Sequence, residues 1–141
     1  MDIRKINDTI SVSPQISPED VASAAEAGIK TIICNRPDGE RPDQPAFDSV
    51  KEAAEAAGVT IIHQPIVSGQ MTEEQVLEFR EIFAAAEQPV LAYCASGTRS
   101  TILWAAASAN DTPVAEIISS AAGAGYDLTQ FEPMLNNIAS S

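Results

Sequence analysis

Short apolar runs alternate with longer amphipathic segments along most of the chain, which is the pattern of strands alternating with helices. The runs 30–34, 59–63 and 90–93 are rich in β-branched or other apolar residues and predict three strands, with 30–34 and 90–93 buried. Residues 3–6 and 9–13 predict a shorter edge hairpin. This order of elements predicts a three-layer α/β/α fold with a mostly parallel central sheet of about five strands.

Helix signals occupy most of the segments between these runs. Ser17 and Thr72 each precede a helical run and are typical N-caps, and Pro18 suits a first helical position. The predicted helices are 18–27 ended by Gly28, 47–57 ended by Gly58, 73 to about 87, 99 to about 109, 113 to 123 or 125, and 128–138 with any bend at Pro133. The segment 35–45 combines prolines with charges and predicts an irregular loop.

The stretch from Val90 to Trp104 is the centre of the functional hypothesis. An apolar strand ends at Tyr93, Cys94 follows, and an apolar-rich helix begins at Arg99. The loop between them is built of the small residues Ala95, Ser96, Gly97 and Thr98. The first N–H groups of a helix have no intrahelical acceptor, so these amides and the helix dipole predict an anion-binding loop.

Cys94 is the predicted nucleophile. The loop amides, the helix dipole and Arg99 would stabilise its thiolate, and Ser100 would donate a hydrogen bond to the sulfur. The competing interpretation is that Cys94 is an inert buried residue at a strand end, as many free cysteines are. The catalytic interpretation is favoured because Gly97, Arg99 and Ser100 are the neighbours that thiolate chemistry needs.

Composition narrows the classes of function. The 141 residues, 45% of them hydrophobic, suffice for one buried core and predict a single domain over 1–141. A formal net charge of −12 argues against binding nucleic acid or an anionic membrane through a basic surface. Two cysteines and one histidine make neither a disulfide framework nor a metal site, and nothing implies a cofactor. With no apolar run of membrane-spanning length and no secretory signal, a reduced, cytoplasmic setting is expected.

Further candidates follow from the predicted sheet. Parallel strands bring their carboxyl ends to one edge, so Cys34 and His63 are expected near Cys94. Cys34 is either a resolving thiol or a core residue, and His63 is either an acid/base group or a hydrogen-bonded strand-end residue. In the loop after Cys34, Arg36 could bind an anionic substrate and Asp38 could act as general acid. Both are equally well explained as solvated loop charges.

Three segments, 10–20, 35–40 and 93–100, carry a family resemblance. The order of strand, cysteine loop, arginine, serine and helix resembles the protein tyrosine and dual-specificity phosphatase superfamily. Nearly the whole chain resembles a bacterial family called β-lactamase-hydrolase-like, whose phosphatase-like domain occurs alone or fused to persulfide dioxygenases of the metallo-β-lactamase type. The resemblance implies the phosphatase fold and a persulfide dioxygenase as a partner.

Two departures from that superfamily bear on the reaction. Its phosphatases have five residues between cysteine and arginine and a histidine before the cysteine, whereas this chain has only the four residues 95–98 and Tyr93. Dual-specificity enzymes also place an aspartate general acid in the loop after the preceding strand, but the matching loop 64–71 contains no Asp or Glu. The shorter loop is similar in length to that of rhodanese sulfurtransferases, whose leaving groups need no acid.

These features favour a cysteine-dependent sulfurtransferase that works through a persulfide on Cys94. Arg99 and the loop amides would hold a small anionic donor, such as thiosulfate or a low-molecular-weight persulfide, and an acceptor thiol, sulfite or cyanide would then remove the sulfur. The first alternative is a phosphatase that cleaves a phosphate ester through a phosphocysteine. The second is a non-catalytic domain that senses anions or persulfides.

Overall fold

Five strands form one sheet in the computed structural model, which describes residues 1–141. The strands are β1 (Arg4–Lys5), β2 (Ile10–Ser13), β3 (Thr31–Cys34), β4 (Thr60–His63) and β5 (Val90–Tyr93). Their order in the sheet is β1-β2-β5-β3-β4, and every neighbouring pair is parallel except β1 with β2. The predicted α/β fold with a mostly parallel sheet of five strands is confirmed.

The register of the inner strands brings their carboxyl ends to one edge. Tyr93 at the end of β5 lies opposite Ser13 of β2 and Cys34 of β3, and Cys34 lies opposite His63 of β4. Every residue of β2, β3 and β5 is buried, because helices cover both faces of the sheet. The loops that follow these strands therefore open onto the same edge.

Six α-helices cover the sheet. They are α1 (Pro18–Glu26), α2 (Phe47–Ala57), α3 (Glu73–Ala85), α4 (Thr98–Ser108), α5 (Val114–Gly123) and α6 (Glu132–Ala139). Ser17 and Thr72 form the capping boxes of α1 and α3, with Asp20 and Gln75 as their partners. None of the helices has the length and apolar composition needed to cross a bilayer.

Apolar side chains form a separate cluster on each face of the sheet. Val21 of α1 and Val50 of α2 pack with Leu91 on one face. The cluster on the other face includes Phe79, Trp104, Ile117 and Leu135, from α3, α4, α5 and α6. Because α4 is buried along most of its length, its N-terminus is held in a fixed position beside β5.

The C-terminal region departs from the sequence prediction. A 3-10 turn at Thr129–Phe131 precedes α6, so the predicted single helix over 128–138 is wrong in its first part. Pro133 lies in the first turn of α6 and does not bend the helix. Backbone N–H groups in the first turn have no intrahelical acceptor, so the missing N–H of proline breaks no hydrogen bond there.

Candidate active site

Cys94 lies where β5 ends and the loop to α4 begins. Its side chain is fully buried, and the Gly97 N–H donates a hydrogen bond to its Sγ over 3.1 Å. Gly97 is the N-cap of α4 and has a φ of 93°, a left-handed conformation that glycine adopts without strain. The loop therefore curls so that a backbone donor faces the sulfur, which stabilises a thiolate.

The same loop has further backbone donors without a partner in the protein. The N–H groups of Ala95, Ser96, Arg99 and Ser100 donate no hydrogen bond within the chain. The Thr98 N–H makes only a long bond of 3.4 Å to Ser96 Oγ. Because first-turn N–H groups carry the positive end of the helix dipole, these donors suit an anion beside Cys94.

The Arg99 guanidinium adds a fixed positive charge to this loop. Its Nη1 donates to Glu40 Oε2 at 2.7 Å and to the Ile66 carbonyl at 2.8 Å, and its Nη2 donates to Glu40 Oε1 at 2.8 Å. The hydrogen bonds to Glu40 raise the pKa of Arg99, which also interacts with the Cys94 thiol. Arg99 is thus oriented by the loop after β3, through Glu40, and by the loop 64–71, through Ile66, while it remains beside the Cys94 sulfur.

Glu40 joins Arg99 to a second arginine. Arg36, which is 6% exposed, donates from Nε to Glu40 Oε1 at 2.9 Å and from Nη1 to Gln15 Oε1 at 3.1 Å. The hydrogen bonds from Arg99 and Arg36 lower the pKa of Glu40 from 4.5 to about 2. Two arginines and one carboxylate leave a local positive charge in a chain whose net charge is −12. This local charge can attract an anion that the protein as a whole repels.

Replacing Glu40 with glutamine should destabilise the protein in a pH-dependent way. The folded-state pKa of Glu40, about 2, lies below its ordinary value of 4.5, so the carboxylate stabilises the fold above pH 4.5 and this contribution is lost as the pH falls toward 2. We expect E40Q to lower the free energy of unfolding at pH 7 by about 2 kcal/mol, allowing for water around this partly exposed pair. Denaturant titrations at pH 7, 4 and 3 measure the gap in free energy of unfolding between the wild type and E40Q. It should narrow below pH 4.5, and a gap that stays constant down to pH 3 would contradict this account.

The expected hydrogen bond from Ser100 to Cys94 is not formed. Ser100 Oγ donates instead to Asn35 Oδ1 at 2.8 Å, and Asn35 Nδ2 donates to the Gln64 carbonyl at 3.1 Å. The hydroxyl donates to the amide oxygen because that oxygen is a far stronger hydrogen-bond acceptor than sulfur. Asn35, which is fully buried, thus ties the loops after β3 and β4 to the first turn of α4.

The other two strand-end candidates hold the loop after β3. Cys34 Sγ donates to the Arg36 carbonyl at 3.4 Å, and burial raises the pKa of this thiol. His63 Nε2 lies 3.1 Å from the same carbonyl, and its ring stacks on Phe47 with the centroids 4.2 Å apart. The resolving role of Cys34 and the acid/base role of His63 stay predictions.

Two of the three carboxylates in the loop after β3 are engaged in structural hydrogen bonds. Asp38 Oδ1 accepts from the Phe47 N–H at 2.8 Å at the start of α2, and Glu40 is held between two arginines. The loop 64–71 lies beside the anion-binding loop, because its Ile66 carbonyl accepts from Arg99, but it contains no Asp or Glu. A general-acid role for Asp38 stays a prediction.

Comparison with known proteins gives these features a family. A sequence model described as beta-lactamase hydrolase-like protein, phosphatase-like domain, matches residues 2–111, which include Cys94, Arg99 and Glu40. The chain belongs to this family. The resemblance stated from segments 10–20 and 93–100 is therefore confirmed.

Relatives of this phosphatase-like domain extend the match. A beta-lactamase hydrolase-like protein of Xylella fastidiosa is 36% identical over 105 residues, which are 74% of this chain and 24% of that protein. The chain thus spans about a quarter of the length of the curated relatives it matches. A candidate phosphatase of Neisseria meningitidis is 44% identical, with a TM-score of 0.87 over 98% of this chain and 99% of that one.

More distant structures share the fold. Pseudomonas aeruginosa TpbA, solved in complex with phosphotyrosine, is 16% identical, with a TM-score of 0.68 over 99% of this chain and 88% of that one. The description of the family and the name of the Neisseria meningitidis protein refer to phosphatases and not to sulfur transfer. The comparisons therefore fit the phosphatase alternative better than the sulfurtransferase expected from the sequence.

Several residues that orient the candidate site of the phosphatase-like domain were not predicted from the sequence. Gln15, Asn35 and Glu40 orient Arg36, Ser100 and Arg99. The only signal for Glu40 was its place in the segment 35–40, because one acid among twenty has no distinguishing pattern. Tyr126, which contacts the anion-binding loop, lies outside the residues that the family model matches.

Proposed function

We propose that the phosphatase-like domain is a cysteine-dependent phosphatase that cleaves phosphate monoesters through a phosphocysteine. The observation that carries this proposal is the buried Cys94 thiol, which faces the Gly97 N–H at 3.1 Å among unpaired loop amides and Arg99. A transferring phosphoryl group spreads negative charge over three oxygens, which such donors can stabilise. The family description and the 44% identical candidate phosphatase support the same reaction.

The proposed reaction has two steps. The Cys94 thiolate attacks phosphorus and forms an S–P bond, while the ester P–O bond breaks and the leaving oxygen keeps the electron pair. Water then attacks the phosphocysteine, which releases phosphate and restores the thiolate. In both steps Arg99 and the loop N–H groups would stabilise the charge on the phosphoryl oxygens.

The range of substrates depends on whether the leaving oxygen needs a proton as it departs. An alkoxide leaves slowly without a general acid, and the loop 64–71 offers none. A phenolate of an acidic phenol leaves as a stable anion. We therefore propose aryl phosphates, and other esters with acidic leaving groups, as the substrate class.

A series of aryl phosphates tests this proposal. We expect the wild-type protein to release phosphate from 4-nitrophenyl phosphate at least ~10-fold faster than from phenyl phosphate, because nothing protonates the phenolate. The measurement is kcat/KM for phosphate release, which reports the step that expels the leaving group and not the hydrolysis of the shared phosphocysteine. C94S is the control for contaminating phosphatases. Equal rates for the two esters would point to an acid, with Asp38 as the first candidate, and no release from either would reject the phosphatase.

Sulfur transfer is the second candidate, favoured by the four-residue spacing between Cys94 and Arg99 and by the loop without an acid. In that reaction the Cys94 thiolate attacks the outer sulfur of thiosulfate, the S–S bond breaks, and sulfite leaves with the electron pair. An acceptor thiol then takes the sulfur from the Cys94 persulfide. A persulfide dioxygenase as partner belongs to this candidate.

Intact-mass spectrometry separates the two reactions on one protein sample. Brief exposure to thiosulfate or glutathione persulfide should leave the mass unchanged if the domain is only a phosphatase. A gain of one sulfur atom that cyanide removes, absent in C94S and accompanied by no phosphate release, would establish the sulfurtransferase instead.

A further inference from the structure

Tyr126 reaches the anion-binding loop from the segment that follows α5. Its hydroxyl donates to the Ser96 carbonyl at 2.9 Å, its side chain is largely buried, and the Arg4 guanidinium lies 5.2 Å from the ring centroid. Burial raises the pKa of the Tyr126 hydroxyl, so the group stays protonated and can donate. No motif or spacing in the sequence links Tyr126 to this loop, because 30 positions separate it from Ser96.

The peptide between Ser96 and Gly97 connects this hydroxyl to the catalytic sulfur. Its carbonyl accepts from Tyr126, and its N–H donates to Cys94 Sγ at 3.1 Å. The peptide is trans and planar, so its C=O and N–H point in opposite directions. A donor that fixes the carbonyl on one side therefore fixes the N–H on the sulfur at the other side.

Without such a donor the peptide has a second orientation. Gly97 has a φ of 93° and a ψ of −9°, close to the third residue of a type II turn. In a type I turn the same position has a φ of about −90° and a ψ of about 0°, and the two turns differ by a flip of the central peptide. Glycine adopts either sign of φ, so Gly97 permits the flip. A flipped Ser96 carbonyl would face the thiolate and repel it.

Tyr126 also fills the space above Gly97. A Cβ built on Gly97 would overlap the Tyr126 hydroxyl and would lie 3.3 Å from the Ser13 carbonyl. The ring and the glycine thus fit against each other, and the Arg4 guanidinium lies over the ring. This packing holds the donor in one place.

We propose that Tyr126 is a positioning residue that locks the Ser96–Gly97 peptide with its N–H on Cys94. The proposal rests on the role of Cys94 as nucleophile, and it applies to phosphoryl transfer and sulfur transfer alike. It places a residue from beyond the family match, residues 2–111, in control of the catalytic loop.

The test replaces Tyr126 with phenylalanine, which keeps the ring and removes only the hydroxyl. We expect the rate of Cys94 alkylation by iodoacetamide at pH 7, measured by peptide mass spectrometry, to fall about 3- to 10-fold, as the loss of one hydrogen bond to the thiolate predicts. With 4-nitrophenyl phosphate, kcat should fall by the same factor while KM changes less than twofold. Alkylation needs no substrate, so it reports on the lock even if the proposed phosphatase activity is absent.

Tyr93→Phe is the matched control, because it removes the only other tyrosine hydroxyl of the chain. That hydroxyl interacts with Cys34 and Gln15, and it forms no hydrogen bond with the Ser96–Gly97 peptide, which is bonded to Cys94 and Tyr126. We expect Cys94 in Y93F to be alkylated at the wild-type rate within twofold. Alkylation of Y126F within twofold of wild type, or an equal fall in both variants, would overturn the proposal. So would a Y126F protein that does not fold, since the hydroxyl would then serve stability alone.

Discussion

Replacing Cys94 with serine is expected to reduce kcat by at least ~10³-fold, the scale seen when a covalent nucleophile is removed. The serine hydroxyl fits the same buried space. The hydrogen-bond partner at this position is the Gly97 N–H, which is a donor and cannot remove the serine proton as a base would. The measurement is phosphate release from 4-nitrophenyl phosphate under saturating conditions. Because serine is close to cysteine in size, the thermal midpoint should stay near that of the wild type.

Cys34→Ala is the matched control for the loss of a thiol. Cys34 is buried on the α1–α2 side of the sheet and donates to the Arg36 carbonyl, so its removal takes away no donor to Cys94. We expect C34A to keep phosphate release within about threefold of the wild type, since it loses only one weak hydrogen bond and a small side chain. Substantial turnover in C94S would remove Cys94 from the mechanism. Loss of sulfur transfer in C34A, with Cys94 still labelled, would identify Cys34 as a resolving thiol.

The chain itself carried enough information to predict the elements that place Cys94. The continuous apolar runs of β3 and β5 indicated strands covered on both faces, and Ser17 and Thr72 marked helix starts. These are local signals, since each depends on residues within a few positions of one another. The strand-loop-helix segment around Cys94 is local in the same sense, so its curl around the sulfur followed from spacing and small side chains.

The contacts that orient Arg99 and Ser100 could not be predicted because they join distant parts of the chain. Glu40 reaches Arg99 across 59 positions, and Ser100 reaches Asn35 across 65. A pattern of residue types shows that Ser100 can donate, but only the folded backbone shows that Asn35 Oδ1, a stronger acceptor than sulfur, lies within hydrogen-bond distance. The prediction for Ser100 failed for this reason, and the lock by Tyr126 was not predicted at all.

Loop 64–71 offers no general acid, and in the structure it has a different role beside Arg99. Its lack of Asp and Glu was a negative sign for phosphate-ester cleavage. The structure adds a positive role, because the Ile66 carbonyl of this loop accepts a hydrogen bond from Arg99 at 2.8 Å. A loop that supplies an acid in dual-specificity phosphatases, as the resemblance implies, here supplies an acceptor that orients the arginine. This exchange is the reason for proposing substrates whose leaving groups need no proton.

Replacing Arg99 with lysine is expected to lower kcat/KM by about 10²-fold, the scale for losing one preorganised charge-stabilising group. The guanidinium uses two nitrogens on Glu40 and the Ile66 carbonyl while it remains beside Cys94. A lysine ammonium is a single nitrogen and cannot contact the carboxylate in a bidentate way and also reach the sulfur. The charge would therefore be kept but misplaced.

The kinetic pattern distinguishes misplacement from a general loss of charge. Arg80→Lys is the matched control, because Arg80 forms a surface ion pair with Asp111 at the side of α3 and makes no contact with the anion-binding loop. We expect R80K to retain wild-type kcat/KM within twofold, since such exposed pairs contribute little. If R99K matched R80K, the positive charge alone would be enough at this position, and the paired contacts of Arg99 with Glu40 would be structural. A 10²-fold fall in R99K alone would instead show that catalysis depends on the orientation of the guanidinium, which Glu40 and Ile66 provide.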